Sequence, residues 1–121
     1  MDRKKLIVVC GPTAIGKSRL SLDLAKHYGI PIISADSRQI YRELTIGTAK
    51  PNKDQLSQIK HHFIDHISIK DEYSVGRYEK ESSLLIQELF KHSNYVLVVG
   101  GTGLYIRSII NGLDEFPDIT K

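Results

Sequence analysis

The residues from Gly11 to Ser18 have the types and the spacing of a phosphate-binding loop. They fit the pattern G-x-x-x-x-G-K-S/T and are Gly11, Pro12, Thr13, Ala14, Ile15, Gly16, Lys17 and Ser18. Glycines let successive backbone N–H groups converge on phosphate oxygens, and the N-terminus of a following helix adds partial positive charge. The Lys17 ammonium supplies a full charge to the terminal phosphates, and the Ser18 hydroxyl is placed to ligate Mg²⁺. The pattern therefore predicts binding of a diphosphate or triphosphate, without specifying the reaction.

Two polar residues stand where further strands are predicted to end. Asp36 directly follows Ile32–Ala35, and Thr102 comes shortly after Tyr95–Val99. Because the carboxyl ends of parallel strands face the ligand crevice, we expect both side chains to converge on the group that the phosphate loop holds. Three roles stay open for Asp36: Mg²⁺ partner, general base, or cap of the following turn. The turn Gly100–Gly103 either permits a sharp change of direction or presents the Thr102 hydroxyl to a phosphate or a metal-bound water.

Two other groups of polar residues carry less specific patterns. The irregular segment 36–52 is accompanied by Tyr41 and by four basic residues, namely Arg38, Arg42, Lys50 and Lys53. Such a set is usually a solvated loop, and by itself it is only a weak signal for contact with a nucleic-acid backbone. Four residues that could ligate a metal also stand close together, namely His61, His62, Asp65 and His66. They lack a cysteine or a helical His pair accompanied by Glu, so structural roles are favoured over a zinc site.

The elements that would position these residues alternate between strands and helices. The predicted strands are Leu6–Cys10, Ile32–Ala35 and Tyr95–Val99, the first of them buried on both faces. One predicted helix runs from Lys17 to Tyr28, with an apolar face of Leu20, Leu24 and Tyr28 and a left-handed cap at Gly29. A second helix presents Val75, Tyr78, Leu85 and Leu89 on one face with Ser82 as its small member, and a short apolar helix ends near Gly112. This order predicts an α/β fold, a P-loop NTPase-like parallel sheet with helices on both faces in three layers.

Composition limits the class of protein. With 121 residues, 40% hydrophobic and 26% charged, the chain has the size of one folded domain. Its longest uncharged apolar runs are too short to span a bilayer, and the N-terminus leads directly into a strand, so we expect an intracellular protein. The single Cys10 excludes an internal disulfide and is expected to be a small apolar residue in a buried strand. The net charge of +3 permits a polyanionic partner without requiring one.

Five segments in this order resemble the tRNA dimethylallyltransferase (isopentenyl transferase) family. They are Gly11–Ser18, Asp36–Gln39, Ile46–Pro51, His61–Asp65 and Val99–Tyr105. The resemblance extends over nearly the whole chain, and the strings GTAKP and GGTGLY are more specific than the phosphate loop. It implies that residues 1–121 are the N-terminal part of a P-loop prenyltransferase core, without the tRNA-gripping insertion and the C-terminal catalytic segment. Three predicted strands without a closing element after Phe116 also suggest a fragment whose sheet is incomplete.

The resemblance also implies a reaction and roles for single residues. A dimethylallyl group would pass from dimethylallyl diphosphate to the N6 amine of an adenosine beside the tRNA anticodon. Lys17, the loop and Mg²⁺ on Ser18 would neutralise the departing diphosphate, and Asp36 would accept the N6 proton. Thr102 matches the residue that helps to position the phosphate and the metal. The substrate side would be formed by Ser37, Arg38, Gln39 and Lys50 together with Asp36. The expected partners are the tRNA anticodon loop and dimethylallyl diphosphate, in the cytoplasm, with no membrane and with a monomer favoured.

Alternatives from other functional classes remain open at this point. Asp36 at a second strand end also suits a small-molecule or nucleotide kinase that uses ATP. An ATP-hydrolysing motor is less favoured, since Tyr95–Val99 is followed by glycines and Thr102 in place of an acidic residue. A close variant is an adenylate isopentenyltransferase acting on free nucleotides. The third alternative is a phosphate-binding fragment with no catalytic activity.

Overall fold

The structure is a computed structural model that describes residues 4–10, 17–36, 39–43, 51, 53–100, 104–113 and 119–120. Strands and helices alternate along these segments. The elements are β1 (Lys4–Cys10), α1 (Lys17–Tyr28), β2 (Ile32–Ser34), α2 (Lys53–Gln58), β3 (His61–His62), α3 (Val75–Phe90), β4 (Tyr95–Gly100), α4 (Leu104–Leu113) and β5 (Ile119–Thr120). The three predicted strands and the three predicted helices are present; α1 has the predicted bounds, and the strands differ from theirs by one or two residues.

The strands form one sheet in the order β3-β2-β4-β1-β5. Every strand pair among the described residues is parallel, which confirms the predicted sheet type. The central strand β4 lies between β1 and β2, with Gly100 opposite Cys10 and Val99 opposite Ser34. The carboxyl ends of β1, β4 and β2 are therefore neighbours at one edge of the sheet.

Hydrophobic side chains pack on both faces of the sheet, as a three-layer fold requires. Val96 and Val98 of β4 belong to one cluster, whereas Leu97 belongs to the other. The first cluster includes residues of α3 and α4, and the second includes Ala25 of α1. Because successive side chains of a strand point to opposite faces, these clusters place α3 and α4 on one side of the sheet and α1 on the other.

Helix α1 buries a different face from the predicted one. Leu20 is 51% exposed and Tyr28 is 36% exposed, whereas Ser21 and Ala25 are buried. Small side chains on the inner face let α1 lie close to the sheet, with Leu24 only partly buried at the side. The expectation that Leu20, Leu24 and Tyr28 form the buried stripe was wrong, because close packing favoured the small residues over the large ones.

Helix α3 agrees better with its predicted pattern. The Ser74 side chain caps its N-terminus by accepting the N–H of Arg77 at 3.1 Å. Its buried positions are Tyr78, Ser82, Ile86 and Phe90, with Val75, Leu85 and Leu89 partly buried beside them.

Gly29 has a φ of 66°, the left-handed cap predicted after α1. None of the helices among the described residues is both long and apolar enough to cross a bilayer.

Three short elements were not predicted. Strands β3 and β5 have two residues each, and the short helix α2 buries no side chain. Lys4 pairs with Ile119, and Lys5 with Thr120, so the segment after Phe116 does add a strand, contrary to the expectation of no closing element. Cys10 is also exposed, not buried, because it is the last residue of β1, at the carboxyl edge of the sheet.

Candidate active site

The carboxyl ends of three neighbouring strands meet at the candidate site. Cys10 ends β1 directly before the phosphate-loop pattern, Gly100 ends β4, and Ala35 and Asp36 follow β2. Adjacent strands lie about 4.8 Å apart, so the ends of β1 and β2 are separated by about 10 Å, with β4 between them. This spacing suits a ligand that contacts both the segment after β1 and the side chain of Asp36.

The end of β4 approaches the residue before Asp36 unusually closely. A Cβ atom on Gly100 would lie 2.5 Å from the Ala35 carbonyl oxygen and 2.8 Å from its carbonyl carbon. The Ala35 N–H also donates to the Val99 carbonyl at 2.8 Å. At Gly100 the absence of a side chain is therefore a steric requirement of the contact between the ends of β4 and β2.

The Asp36 carboxylate is held by the turn that follows it. Its Oδ1 accepts the backbone N–H of Gln39 at 3.1 Å, and the residue is only partly buried. This is the turn-capping interaction considered from the sequence. Capping does not exclude a catalytic role, because an ionised carboxylate offers about four lone-pair sites on two oxygens. The hydrogen bond orients the group at the edge of the sheet.

Gln39 connects this turn to two other parts of the protein. Its Oε1 accepts the Ser34 hydroxyl at 3.1 Å, and its carbonyl oxygen accepts the N–H of Asp65 at 3.0 Å. Residues before and after Asp36 are thereby joined to each other and to the loop that follows β3. The geometry gives Gln39 a structural function that its predicted role as a substrate contact did not include.

The loop after β3 supports the segment 39–42 through backbone hydrogen bonds. Phe63 and Asp65 have left-handed φ values of 67° and 53°, which turn the chain away from the sheet. The N–H groups of His66 and Ile67 then donate to the Ile40 carbonyl, at 2.8 and 3.1 Å. The segment His61–Asp65, which contributed to the family resemblance, thus comprises β3 and the start of the loop that hydrogen-bonds to Gln39.

The two histidines of β3, His61 and His62, are partly buried. His61 Nδ1 lies 2.8 Å from the Ile59 carbonyl oxygen, and burial lowers the pKa of His61 below its usual value. Burial, with help from Lys60, also lowers the pKa of His62. Within the ranges that the structure describes, no three His, Cys, Asp or Glu residues are grouped to hold a metal ion. The partial burial of both rings and the contact of His61 with the Ile59 carbonyl connect β3 to the end of α2.

Three aromatic rings, those of Phe63, Tyr78 and Tyr105, pack together next to the end of β2. Tyr78 is completely buried, and its hydroxyl donates to the Ser34 carbonyl at 2.7 Å. Its ring stacks on Phe63 at 5.0 Å and meets Tyr105 edge-on at 4.1 Å. Tyr105 is 8% exposed, so its ring is part of the core. Sequence reasoning placed Tyr78 on a core face but missed its hydroxyl, although a buried tyrosine generally requires a hydrogen-bond partner.

A surface cavity of about 480 Å³ lies beside the segment 39–42 and was not predicted. Both basic and acidic side chains line it. Arg42 is one of them, and the others are His66, Ile67, Asp71, Glu72, Arg77 and Glu81. Glu81 pairs with His66 at 3.4 Å and with Arg77 at 3.9 Å. Two arginines, Arg42 and Arg77, face three carboxylates in this lining, so the cavity has no marked preference for an anion.

Many predicted site residues lie outside the described residues. These are Gly11, Pro12, Thr13, Ala14, Ile15, Gly16, Ser37, Arg38, Lys50 and Thr102. Lys17 and Ser18 are the first two residues of α1, and their side chains are likewise not described. The structure therefore brings Asp36 and Gln39 together, and it leaves the predicted convergence of Asp36 with Thr102 as a prediction.

The expected Mg²⁺ is compatible with the chemistry of this edge. Ser18 lies in the first turn of α1, which begins seven positions after β1 ends. A serine hydroxyl and the oxygens of a diphosphate are the hard oxygen ligands that Mg²⁺ prefers, and Mg²⁺ usually takes only one or two ligands from the protein. Ser18 therefore suits Mg²⁺ by its hydroxyl oxygen and by its position at the start of α1.

Comparison with known proteins gives a consistent set of relatives. Residues 39–121 match the family model described as IPP transferase. A tRNA dimethylallyltransferase of Flavobacterium johnsoniae is 52% identical over 116 residues, which cover 96% of this chain and 38% of the relative. The crystal structure of a tRNA isopentenylpyrophosphate transferase of Bacillus halodurans is 38% identical with a TM-score of 0.81, over 90% of this chain and 36% of that one.

A further solved structure is described together with the molecule on which its protein acts. It is a eukaryotic dimethylallyltransferase described as acting on tRNA, 35% identical with a TM-score of 0.78, over 87% of this chain and 26% of that one. The fold shared with these structures is of the P-loop NTPase-like α/β class. Within that class, this chain belongs to the IPP transferase family. It spans a little over a third of the length of the curated relatives that it matches.

Proposed function

We propose that the protein containing this chain transfers a dimethylallyl group from dimethylallyl diphosphate to the N6 amine of an adenosine beside the anticodon of tRNA. The observation that carries the proposal is the edge where β1, β4 and β2 end, with the Asp36 carboxylate oriented by the Gln39 N–H. Membership of the IPP transferase family supports it. So do relatives whose names specify dimethylallyl transfer to tRNA.

The leaving group is the first requirement of this chemistry. As the allylic C–O bond breaks, its electron pair stays with the diphosphate, whose negative charge must be neutralised. We assign this task to the Lys17 ammonium, to the backbone N–H groups of Gly11–Ser18 and to the N-terminus of α1. The Ser18 hydroxyl would hold Mg²⁺, which supplies additional positive charge to the diphosphate when bound.

The acceptor side requires a base. The adenine N6 lone pair forms the new C–N bond, and the displaced N6 proton passes to the Asp36 carboxylate. The adenosine must leave its stack to reach this edge, as in other enzymes that modify bases. Thr102 is proposed to position the diphosphate. Contacts with the nucleotide and the RNA are proposed for Ser37, Arg38, Gln39 and Lys50. We place the reaction in the cytoplasm and propose a monomer.

The first prediction concerns Asp36. Asp36→Asn retains an oxygen that accepts the Gln39 N–H but removes the base. It should lower kcat for prenyl transfer by about 10²-fold or more, with binding of the donor unchanged. The assay follows labelled dimethylallyl diphosphate incorporated into unmodified tRNA by the complete gene product. Asp23→Asn, at an exposed position of α1, is the matched control and should retain wild-type kcat. Normal labelling by Asp36→Asn would contradict the general-base assignment.

The same preparation separates the alternative functions. If ATP displaces the prenyl donor and its γ-phosphate is consumed, the protein is a kinase. If AMP replaces tRNA as the acceptor, the protein modifies free nucleotides. Labelling of tRNA alone, with ATP unchanged, is the result expected for the proposed function.

A further inference from the structure

In the part of the chain that the structure describes, the Ser34 carbonyl at the end of β2 has no hydrogen bond to a neighbouring strand. Ile32 and Ser34 face β3, since the Ile32 N–H donates to the Lys60 carbonyl and alternate residues of a strand hydrogen-bond to the same side. In a regular continuation the Ser34 carbonyl would accept the N–H of Ile64. Strand β3 ends at His62, however, and the left-handed Phe63 turns the chain away. The Tyr78 hydroxyl takes this place in the ladder, at 2.7 Å from the Ser34 oxygen.

We propose that Tyr78 is a positioning residue for Asp36 and acts through Ser34 and Gln39. Two hydrogen bonds complete the connection. The Ser34 hydroxyl donates to Gln39 Oε1 at 3.1 Å, and the Gln39 N–H donates to Asp36 Oδ1 at 3.1 Å. A single residue, Ala35, separates Ser34 from Asp36 along the chain. The orientation of the carboxylate thus depends on the same strand end that Tyr78 holds.

Tyr78 is suited to this function because its ring is buried in the core and its hydroxyl has a backbone partner. It is completely buried and contacts the rings of both Phe63 and Tyr105. Burial raises its pKa well above the usual value for tyrosine, so the hydroxyl keeps its proton and donates throughout the working pH range. A rigid donor that is always protonated can hold a strand end in one place.

On the side of β2 that faces away from β3, strand β4 holds the Ala35 backbone independently of Tyr78. The Ala35 N–H donates to the Val99 carbonyl, and Gly100 lies against the Ala35 carbonyl group. Tyr78 on one side and β4 on the other therefore enclose the two residues that precede Asp36. Removal of the Tyr78 hydroxyl leaves the Ser34 carbonyl without this partner and frees one side of the strand end, while the ring packing stays.

The inference rests on the proposed function, and its test uses the complete gene product. Tyr78→Phe should lower kcat for prenyl transfer by about tenfold and leave the dissociation constant of dimethylallyl diphosphate within twofold of wild type. Ser34→Ala breaks the next hydrogen bond, is a mild change for folding, and should have a similar effect on kcat. The control is Tyr73→Phe, which removes a hydroxyl bonded to Glu81 on the surface of α3 and should retain wild-type kcat.

A double-mutant cycle distinguishes positioning from a general loss of structure. If Tyr78 acts through Asp36, Tyr78→Phe should lower kcat by less than twofold in the Asp36→Asn background. Wild-type kcat in both Tyr78→Phe and Ser34→Ala overturns the inference, and so does a full tenfold loss in the Asp36→Asn background. Wild-type kcat for Asp36→Asn alone is a separate result, which contradicts the proposed general base.

Discussion

At the scale of single residues, the candidate site depends on Asp36 and Gly100, and both contact residues outside the sequence motifs that contain the phosphate loop and Thr102. Asp36 was a candidate from its position after a strand, and the structure adds the Gln39 N–H that orients it. Gly100 was interpreted either as a turn residue or as part of a ligand contact. The structure shows that a side chain at Gly100 would collide with the Ala35 backbone. The spacing of the glycines in the sequence does not reveal this contact.

Gly100 provides a prediction at this scale. Gly100→Ala places a Cβ 2.5 Å from a backbone oxygen that cannot rotate away, and it should lower the free energy of unfolding by about 1–3 kcal/mol. Gly76→Ala is the matched control, because a Cβ there would meet only Ser74 Oγ, at 3.8 Å. This control lies within α3 and should be neutral or stabilising by up to about 1 kcal/mol. Urea unfolding measures both, and equal effects would contradict the steric account.

At the scale of the elements, the apolar runs and helical periods were sufficient to locate three strands and three helices. They did not identify which face of α1 is buried, because periodicity alone does not distinguish a stripe of large residues from one of small residues. Strands β3 and β5 escaped detection since two residues are too few for any pattern. Both exist only because a neighbouring strand pairs with them.

The packing of α1 supplies a prediction that separates the two possible faces. Ala25→Leu adds three carbons to a completely buried position and should destabilise the fold by about 1–3 kcal/mol. Leu20→Ala, at a position that is 51% exposed, should change the free energy of unfolding by no more than about 0.5 kcal/mol. A buried Leu20 stripe would instead make the second change the costly one, at about 2–5 kcal/mol. Thermal or urea unfolding decides between these outcomes.

At the scale of the whole molecule, the order β3-β2-β4-β1-β5 creates the candidate site. With β4 in the centre, the segments after β1 and β2 lie on either side of Gly100. The same order makes β3 an edge strand, whose two histidines are partly buried against the fold. Stability should therefore depend on pH through these histidines as well as through the carboxylates.

The pH dependence is the prediction at this scale. Burial lowers the pKa of His61 and His62 below 6.5 in the native state, so the unfolded chain binds more protons as the pH falls through that value. Stability is then greatest above pH 6.5 and decreases on acidification below it. The double variant His61→Gln/His62→Gln should show a shallower decrease between pH 7 and 5.5, measured by urea unfolding.

The sequence by itself determined the strands and helices, the phosphate-loop pattern and the resemblance to a family, because these depend on residues that are near one another in the chain. The tertiary structure alone decided the position of β4 between β1 and β2, the inner face of α1 and the partner of the Tyr78 hydroxyl. Tyr78 and Ser34 are 44 residues apart. Local propensity holds no information about such a pair, since the contact forms only when helix α3 packs against the sheet.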